Sequence, residues 1–275
     1  MPLTACRGHC AICREEYRMM HRMKLNAAPF SMIRSGQKTI ELRLNDEKRR
    51  QVKVGDFIEF TSTEQPEEKM QVRVTALHRF RSFAELYEHL PLLQCGYTEE
   101  ELAHADPADM EAYYSGEEQE KYGVLGIEVR LTALQKFLDA QENGYSGWCS
   151  DYAAALEEIR SGEKRTHWMW YIFPQIKGLG ISGTTAYFSI NSLEEARDYC
   201  QHPVLGARLR EISGVLLTLR TSDPMSVFGS PDAFKLRSCM TLFAEAAPDE
   251  PVFGQVLDKF CMSRRDEKTL RLLGL

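Results

Sequence analysis

The stretch Ser35–Phe60, SGQKTIELRLNDEKRRQVKVGDFIEF, decides how the first half of the chain is read. The segment before it, PFSMIRSG, predicts a short helix stopped at Gly36, a residue that readily takes the left-handed conformation of a helix end. TIELRL then alternates with period two. Thr39, Glu41 and Arg43 fall on one strand face, and Ile40, Leu42 and Leu44 on the other. The NDEKRRQ segment reads as a turn, and VGDFIEF as a second strand. MQVRVTAL and YGVLGIEVRL predict two more, the latter buried and closing the domain.

Charge divides this half of the chain. Residues 24–81 carry twelve Lys/Arg against eight Asp/Glu, whereas residues 82–121 carry Lys121 against eleven acids. The first block can present a basic face. The second, with SFAELYEHL and DPADMEAYYSGEEQEKY, reads as solvated helices. After Leu131 the apolar spacing becomes helical to the end, with Ser192 and Glu195 as a capping box. Pro203 and Pro231 are expected in the first turns of two later helices. Three segments follow: an extension over 1–22, a mixed domain over 23–131, and a helical domain over 132–275.

The whole chain has 275 residues, 43% hydrophobic and 27% charged, a composition that fits a globular protein. A net charge of −6 excludes a wholly basic nucleic-acid binder but leaves room for a local basic patch. No apolar run approaches the roughly 20 residues that cross a bilayer. The first twenty residues lack a signal-peptide core, so a cytoplasmic protein with reduced thiols is expected. Cys6, Cys10 and Cys13 have the spacing of a radical-SAM iron–sulfur motif, and His9 would make a fourth zinc ligand. No large α/β barrel pattern follows them, so they are read as part of a dispensable extension. No metal and no cofactor is expected.

The opening stretch resembles the ASCH domain, a PUA-like β-barrel. The resemblance runs over about residues 24–130 and rests on Gly36-x-Lys38-x-x-Glu41-x-Arg43, VGDFIEF and KYGVLGIEV. It implies RNA or a nucleotide-like ligand in a cleft bordered by that motif, with no DNA sequence readout. The residues suit that ligand. Lys38 and Arg43 can contact phosphate, Glu41 can orient Arg43 or accept from a base, and Arg49 with Lys48, Arg50 and Lys53 extends the basic surface. Tyr114, Tyr113 or Tyr122 can stack on a base. A plainer reading is a surface Glu41–Arg43 salt bridge, worth about 0–1 kcal/mol. Some small ASCH proteins hydrolyse N-acetylated cytidine with a Lys–Thr–Glu set. Here Lys38 matches the lysine, Glu41 stands where the threonine is expected, and the glutamate position falls near Cys95.

LQKFLDAQ, IRSGEKRTHWMWYIFPQIKGLG, HPVLGARLRE and the segment from Val227 to Phe260 resemble the domain-of-unknown-function family 1810, over about residues 132–273. That family implies a compact helical domain and no established activity. The residues themselves predict a turn at Phe173–Pro174, since proline disfavours helix in the residue before it. Trp168, Trp170 and Tyr171 read first as core. A pocket is the functional alternative, with His167, Trp168, Gln175 and Lys177 at its mouth and Lys235, Arg237 and Ser238 facing them.

The fold expected is α+β, a PUA-like β-barrel with flanking helices followed by a mainly helical domain. The function expected is an RNA- or nucleotide-binding protein. The alternatives are a hydrolase acting on a modified nucleoside, nucleotide or RNA, and an adaptor that docks a partner protein through exposed aromatics.

Overall fold

The computed structural model describes residues 18–147 and 149–275. The cysteine triplet lies outside them. Five strands form one sheet: β1 (Met20–Leu25), β2 (Ile40–Leu44), β3 (Phe57–Ser62), β4 (Lys69–Phe80) and β5 (Val124–Leu131). Their order across the sheet is β1-β3-β4-β5-β2. β1 runs parallel to β3, and the other pairs are antiparallel. The fold is α+β as expected, a five-stranded half-barrel followed by helices.

The inside of the half-barrel is filled by Met23, Leu25, Ile58, Phe60, Val72, Val74, Leu125 and Ile127. Helix α1 (Ala27–Ser35) closes one end with Phe30 and Ile33, and Gly36 ends it at φ 81°. Ile40, Leu42 and Leu44 face away from that core and pack against Phe83 and Leu86 of α2 (Phe83–His89). The alternation in TIELRL is therefore present, but both faces of β2 are covered. The acidic block supplies α3 (Glu99–Leu102) and α4 (Gly116–Tyr122), none of whose residues is buried.

One strand escapes the sequence pattern. β1 begins at Met20, inside the stretch expected to be an extension, and Met20 and His21 pair with Phe57 and Ile58. The reason is polar. Asp56, nearly fully buried, accepts from the Met19 backbone N–H and meets the His21 ring at 2.8 Å.

The second half is helical: α5 (Gln135–Asn143), α6 (Tyr152–Arg160), α7 (Met169–Ile172), α8 (Gly183–Tyr187), α9 (Leu193–Gln201), α10 (Leu205–Thr218), α11 (Pro224–Phe228), α12 (Asp232–Ala246), α13 (Pro251–Cys261) and α14 (Glu267–Leu273). Its core gathers Trp168, Tyr171, Phe173, Tyr199, Phe243 and Phe253. α7 stops before Pro174 as expected, and Phe173 leaves the helix at φ −119°, ψ 69°. The two prolines differ from expectation. Pro231 sits at the N-cap of α12 behind a cis bond, and α10 starts two residues after Pro203. Instead of a first-turn proline, the His202 ring caps α10, its Nδ1 accepting from the Val204 and Leu205 N–H groups. Ser192 caps α9 as expected, but Glu195 turns its carboxylate to Asn191 rather than back to the cap.

The two halves meet across the outer face of the sheet. Arg73 and Arg130, paired in register, both reach Asp198 of α9 at 2.7 Å. His202 meets the Gln71 side chain at 3.1 Å, and its ring lies 4.9 Å from that of Phe57. Phe57 belongs to the helical core although it lies on β3.

Among the described residues no helix is long and apolar enough to cross a membrane. The cysteines in this part, Cys95, Cys149, Cys200, Cys239 and Cys261, are free thiols.

Candidate functional site

The predicted ASCH motif converges. Gly36 turns the chain out of α1, and Lys38 lies between that turn and β2, with its side chain on Glu41. Lys38 Nζ lies 3.3 Å from Glu41 Oε2, and Arg43 Nε lies 2.8 Å from Glu41 Oε1. One carboxylate thus stands between two cations. Lys38 and Glu41 are only 7% and 5% exposed, so the plain surface bridge does not describe them.

The cluster lies on the inner side of the half-barrel, because Glu41 and Arg43 share a face with their partners Ile127 and Leu125. Lys38 also donates to the backbone carbonyl of Cys95. Gly96, at φ 104°, makes that approach possible: a Cβ there would meet Lys38 Cδ at 3.1 Å.

Arg43 spans the mouth. Its Nη2 donates to the Lys24 carbonyl of β1 at 2.7 Å. Its Nε is near Glu41 but not aligned on it, so this buried N–H makes no hydrogen bond. Burial opposes the Arg43 charge; Glu41 first, then Tyr114, overcomes this and holds its pKa above the usual value.

The other predicted residues are placed differently. Arg49 folds back on Asp46 at 2.5 Å, at the rim. Lys48 donates to the Arg22 carbonyl, and Arg50 to that of Tyr122. The Tyr114 ring is stacked on Phe83 at 5.9 Å, so one of its faces is already covered. Tyr113 is exposed.

Cys95, whose carbonyl accepts from Lys38, lies near the position expected for the glutamate of the hydrolytic set. Burial pushes its thiol up to about 11, with Lys38 pulling the other way and Glu41 adding to the rise. It stays protonated near neutral pH and is no general base.

In the helical half the predicted residues separate. Trp168 is fully buried, and its indole N–H donates to Glu158 at 2.8 Å. The same carboxylate accepts from the Arg165 and Thr166 backbone and from the Thr166 hydroxyl. Those bonds outweigh burial and hold its pKa below the usual range. Trp168 therefore anchors the HWMWYIF loop. Trp170 is half-buried under Lys235, whose Nζ lies 4.9 Å from the ring centre.

His167 and Lys177 are exposed on the loops around α7. Gln175, Lys235, Arg237 and Ser238 do come together, in an open groove of about 970 Å³ between α12, α14 and the loop before α8. His167, Trp168 and Lys177 do not line it. It draws instead on Arg264, Arg265, Lys268 and Arg271 of the SRRDEKTLRLL segment. The signal for these was the run of basic residues there, which a purely helical reading passes over.

The ASCH cleft and this groove are separate. Glu41 and Arg43 face the inside of the half-barrel, and the helical half covers the outer face through Phe57, Gln71, Arg73 and Arg130.

Two family models match the chain. Residues 23–133 match the ASCH domain, and residues 131–273 match the family described as protein of unknown function (DUF1810). Among solved structures, the conserved hypothetical protein Rv1873 from Mycobacterium tuberculosis is 40% identical, over 52% of this chain and 96% of its own, with a TM-score of 0.48. The protein PF0455 from Pyrococcus furiosus is 35% identical, over 41% of this chain and 97% of its own, with a TM-score of 0.33. The hypothetical protein PH0355 is 33% identical, over 41% and 99%, with a TM-score of 0.35. No curated protein matches the chain. With more than half of its length matched by that family, the chain belongs to DUF1810 and carries a PUA-like ASCH domain ahead of it.

Proposed function

We propose that the protein binds RNA or a nucleotide through the ASCH cleft, with a phosphate held by Lys38 and Arg43. The observation that carries this reading is the charge of the cluster. A buried lysine, Lys38, and a half-buried arginine, Arg43, share one buried carboxylate, Glu41, so the three together retain one formal positive charge. A buried net charge is costly unless it is paired. An anion entering at Arg43 would supply the missing partner and an acceptor for its unaligned Nε N–H. Glu41 then acts as the positioning group, fixing both cations before the ligand arrives.

The hydrolase alternative gains nothing from the geometry: the carboxylate beside Lys38, Glu41, is engaged by two cations, and burial keeps the nearby Cys95 thiol protonated near neutral pH. The adaptor alternative loses Trp168, which is wholly inside the core.

The test is equilibrium binding of a 12-nucleotide RNA across a salt series, with and without Lys38→Met, in a chain that also carries Arg264→Ala and Lys268→Ala so that the basic groove of the helical half contributes little. Methionine keeps the aliphatic stem that packs under Gly96 and removes the charge. The variant is expected to bind at least tenfold more weakly, with the salt dependence reduced by about 0.7 in log–log slope, the value for one single-strand phosphate contact. Equal affinity and equal slope would refute the reading.

A further inference from the structure

We propose that the groove between α12 and α14 is a second nucleic-acid surface that takes a single strand by its phosphates and one base. It is a distinct site and stands whether or not the ASCH cleft binds RNA.

The groove concentrates positive charge in an acidic protein. Lys235, Arg237, Arg264, Arg265, Lys268 and Arg271 line it, with Asp266 and Glu267 as the acids, a formal charge of +4 in a chain of −6. Asp232 and Glu245 pair with Lys235 and Arg265 from beside the groove and leave a surplus of two. The surplus is located. Arg264 and Lys268 are exposed, and among the described residues neither has an ion-pair partner. Arg237 meets Asp266 only at 3.6 Å, and its buried Nε N–H has no acceptor.

Shape and hydrophobicity select the ligand. At about 970 Å³ and broadly open to solvent, the groove suits a chain laid across it better than an enclosed small molecule. Phe234 stands 58% exposed on the same wall. It lies three and four residues before Arg237 and Ser238 and so shares their helix face. A bare aromatic ring beside a row of cations is what a strand needs, with the base stacked on the ring and the backbone on the charges. An acidic polypeptide would use the cations and leave the ring idle.

The test is fluorescence anisotropy of a labelled 12-nucleotide oligouridylate with the full chain carrying Lys38→Met, so that the ASCH cleft does not contribute. Two variants are added, Arg264→Ala with Lys268→Ala, and Phe234→Ala; all three positions are exposed, and unchanged thermal melting confirms folding. The double variant is expected to lower the log–log salt slope by about 1.4, twice the single-strand value per phosphate. Phe234→Ala is expected to weaken binding about 5- to 150-fold with the slope unchanged. Unchanged affinity and slope in both variants would overturn the proposal. So would polyglutamate displacing the probe as well as unlabelled oligouridylate does. Uridine monophosphate binding that is lost in Lys38→Met but kept in the Arg264→Ala, Lys268→Ala and Phe234→Ala variants reports on the ASCH cleft, so the two readings fail separately.

Discussion

The Arg43 guanidinium donates to the Lys24 carbonyl at 2.7 Å and so joins β2 to β1, the strands at opposite edges of the sheet. The half-barrel is closed at this point by a side chain rather than by a strand ladder. The same guanidinium pairs with Glu41. Arg43→Ala therefore removes a closure and a partner of a buried carboxylate. Since Lys38 still neutralises Glu41, the expected loss is about 3 kcal/mol, the low end for a broken buried pair. Urea unfolding measures it, and an unshifted midpoint would show that the closure carries no stability.

Gly96 sits at φ 104° against the Lys38 stem. Gly96→Ala is expected to cost about 1–3 kcal/mol in backbone strain. It also displaces Lys38, so nucleotide affinity should fall along with the melting temperature. A variant that loses stability and keeps full affinity would show that Lys38 can move without consequence.

Asp198 is 3% exposed and holds Arg73 and Arg130 together. Asp198→Ala leaves two guanidinium groups facing each other between sheet and helices, with Glu194 still beside Arg130 and Gln201 beside Arg73. About 3–5 kcal/mol of destabilisation is expected, read from thermal or urea unfolding. Retention of wild-type stability would mean that the halves are held by Phe57 and its apolar neighbours alone.

His202 gives a pH dependence. Burial first, then Arg208, lowers its pKa from 6.5 to about 3. The native ring is neutral while the unfolded ring protonates below 6.5, so the unfolded state binds the extra proton. Stability from this group is full above about pH 6.5 and is lost as pH falls toward 3, at up to about 1.4 kcal/mol per pH unit. His202→Gln should flatten that part of the stability–pH curve. An identical curve in the variant would place the titration elsewhere.

Much of the fold can be read locally. The alternation in TIELRL, Gly36 as a helix stop and the turn before Pro174 each depend on neighbours a few residues away. β1 cannot be read that way, because its pairing with β3 depends on Asp56, more than thirty residues distant. The cap of α10 fails for a related reason: His202 is fixed by Gln71 from the other domain. The Lys38–Glu41–Arg43 cluster was legible because its members lie within six residues, Glu41 and Arg43 on β2 and Lys38 just before it. The groove was half legible. Lys235 and Arg237 stood out beside the tryptophans, but the cations opposite them lie about thirty residues on, and only the packing of α14 against α12 brings them there.

The central claim is that the ASCH cleft holds a phosphate between Lys38 and Arg43. The direct measurement is the ratio of dissociation constants for uridine and uridine monophosphate, by titration calorimetry at fixed low salt. Wild type is expected to prefer the monophosphate by about 1.5–3 kcal/mol, the range for hydrogen bonds to charged groups, or roughly 10- to 150-fold. Lys38→Met should lose most of that preference. Equal binding of the two ligands by wild type, or a preference that survives in Lys38→Met, would contradict the account.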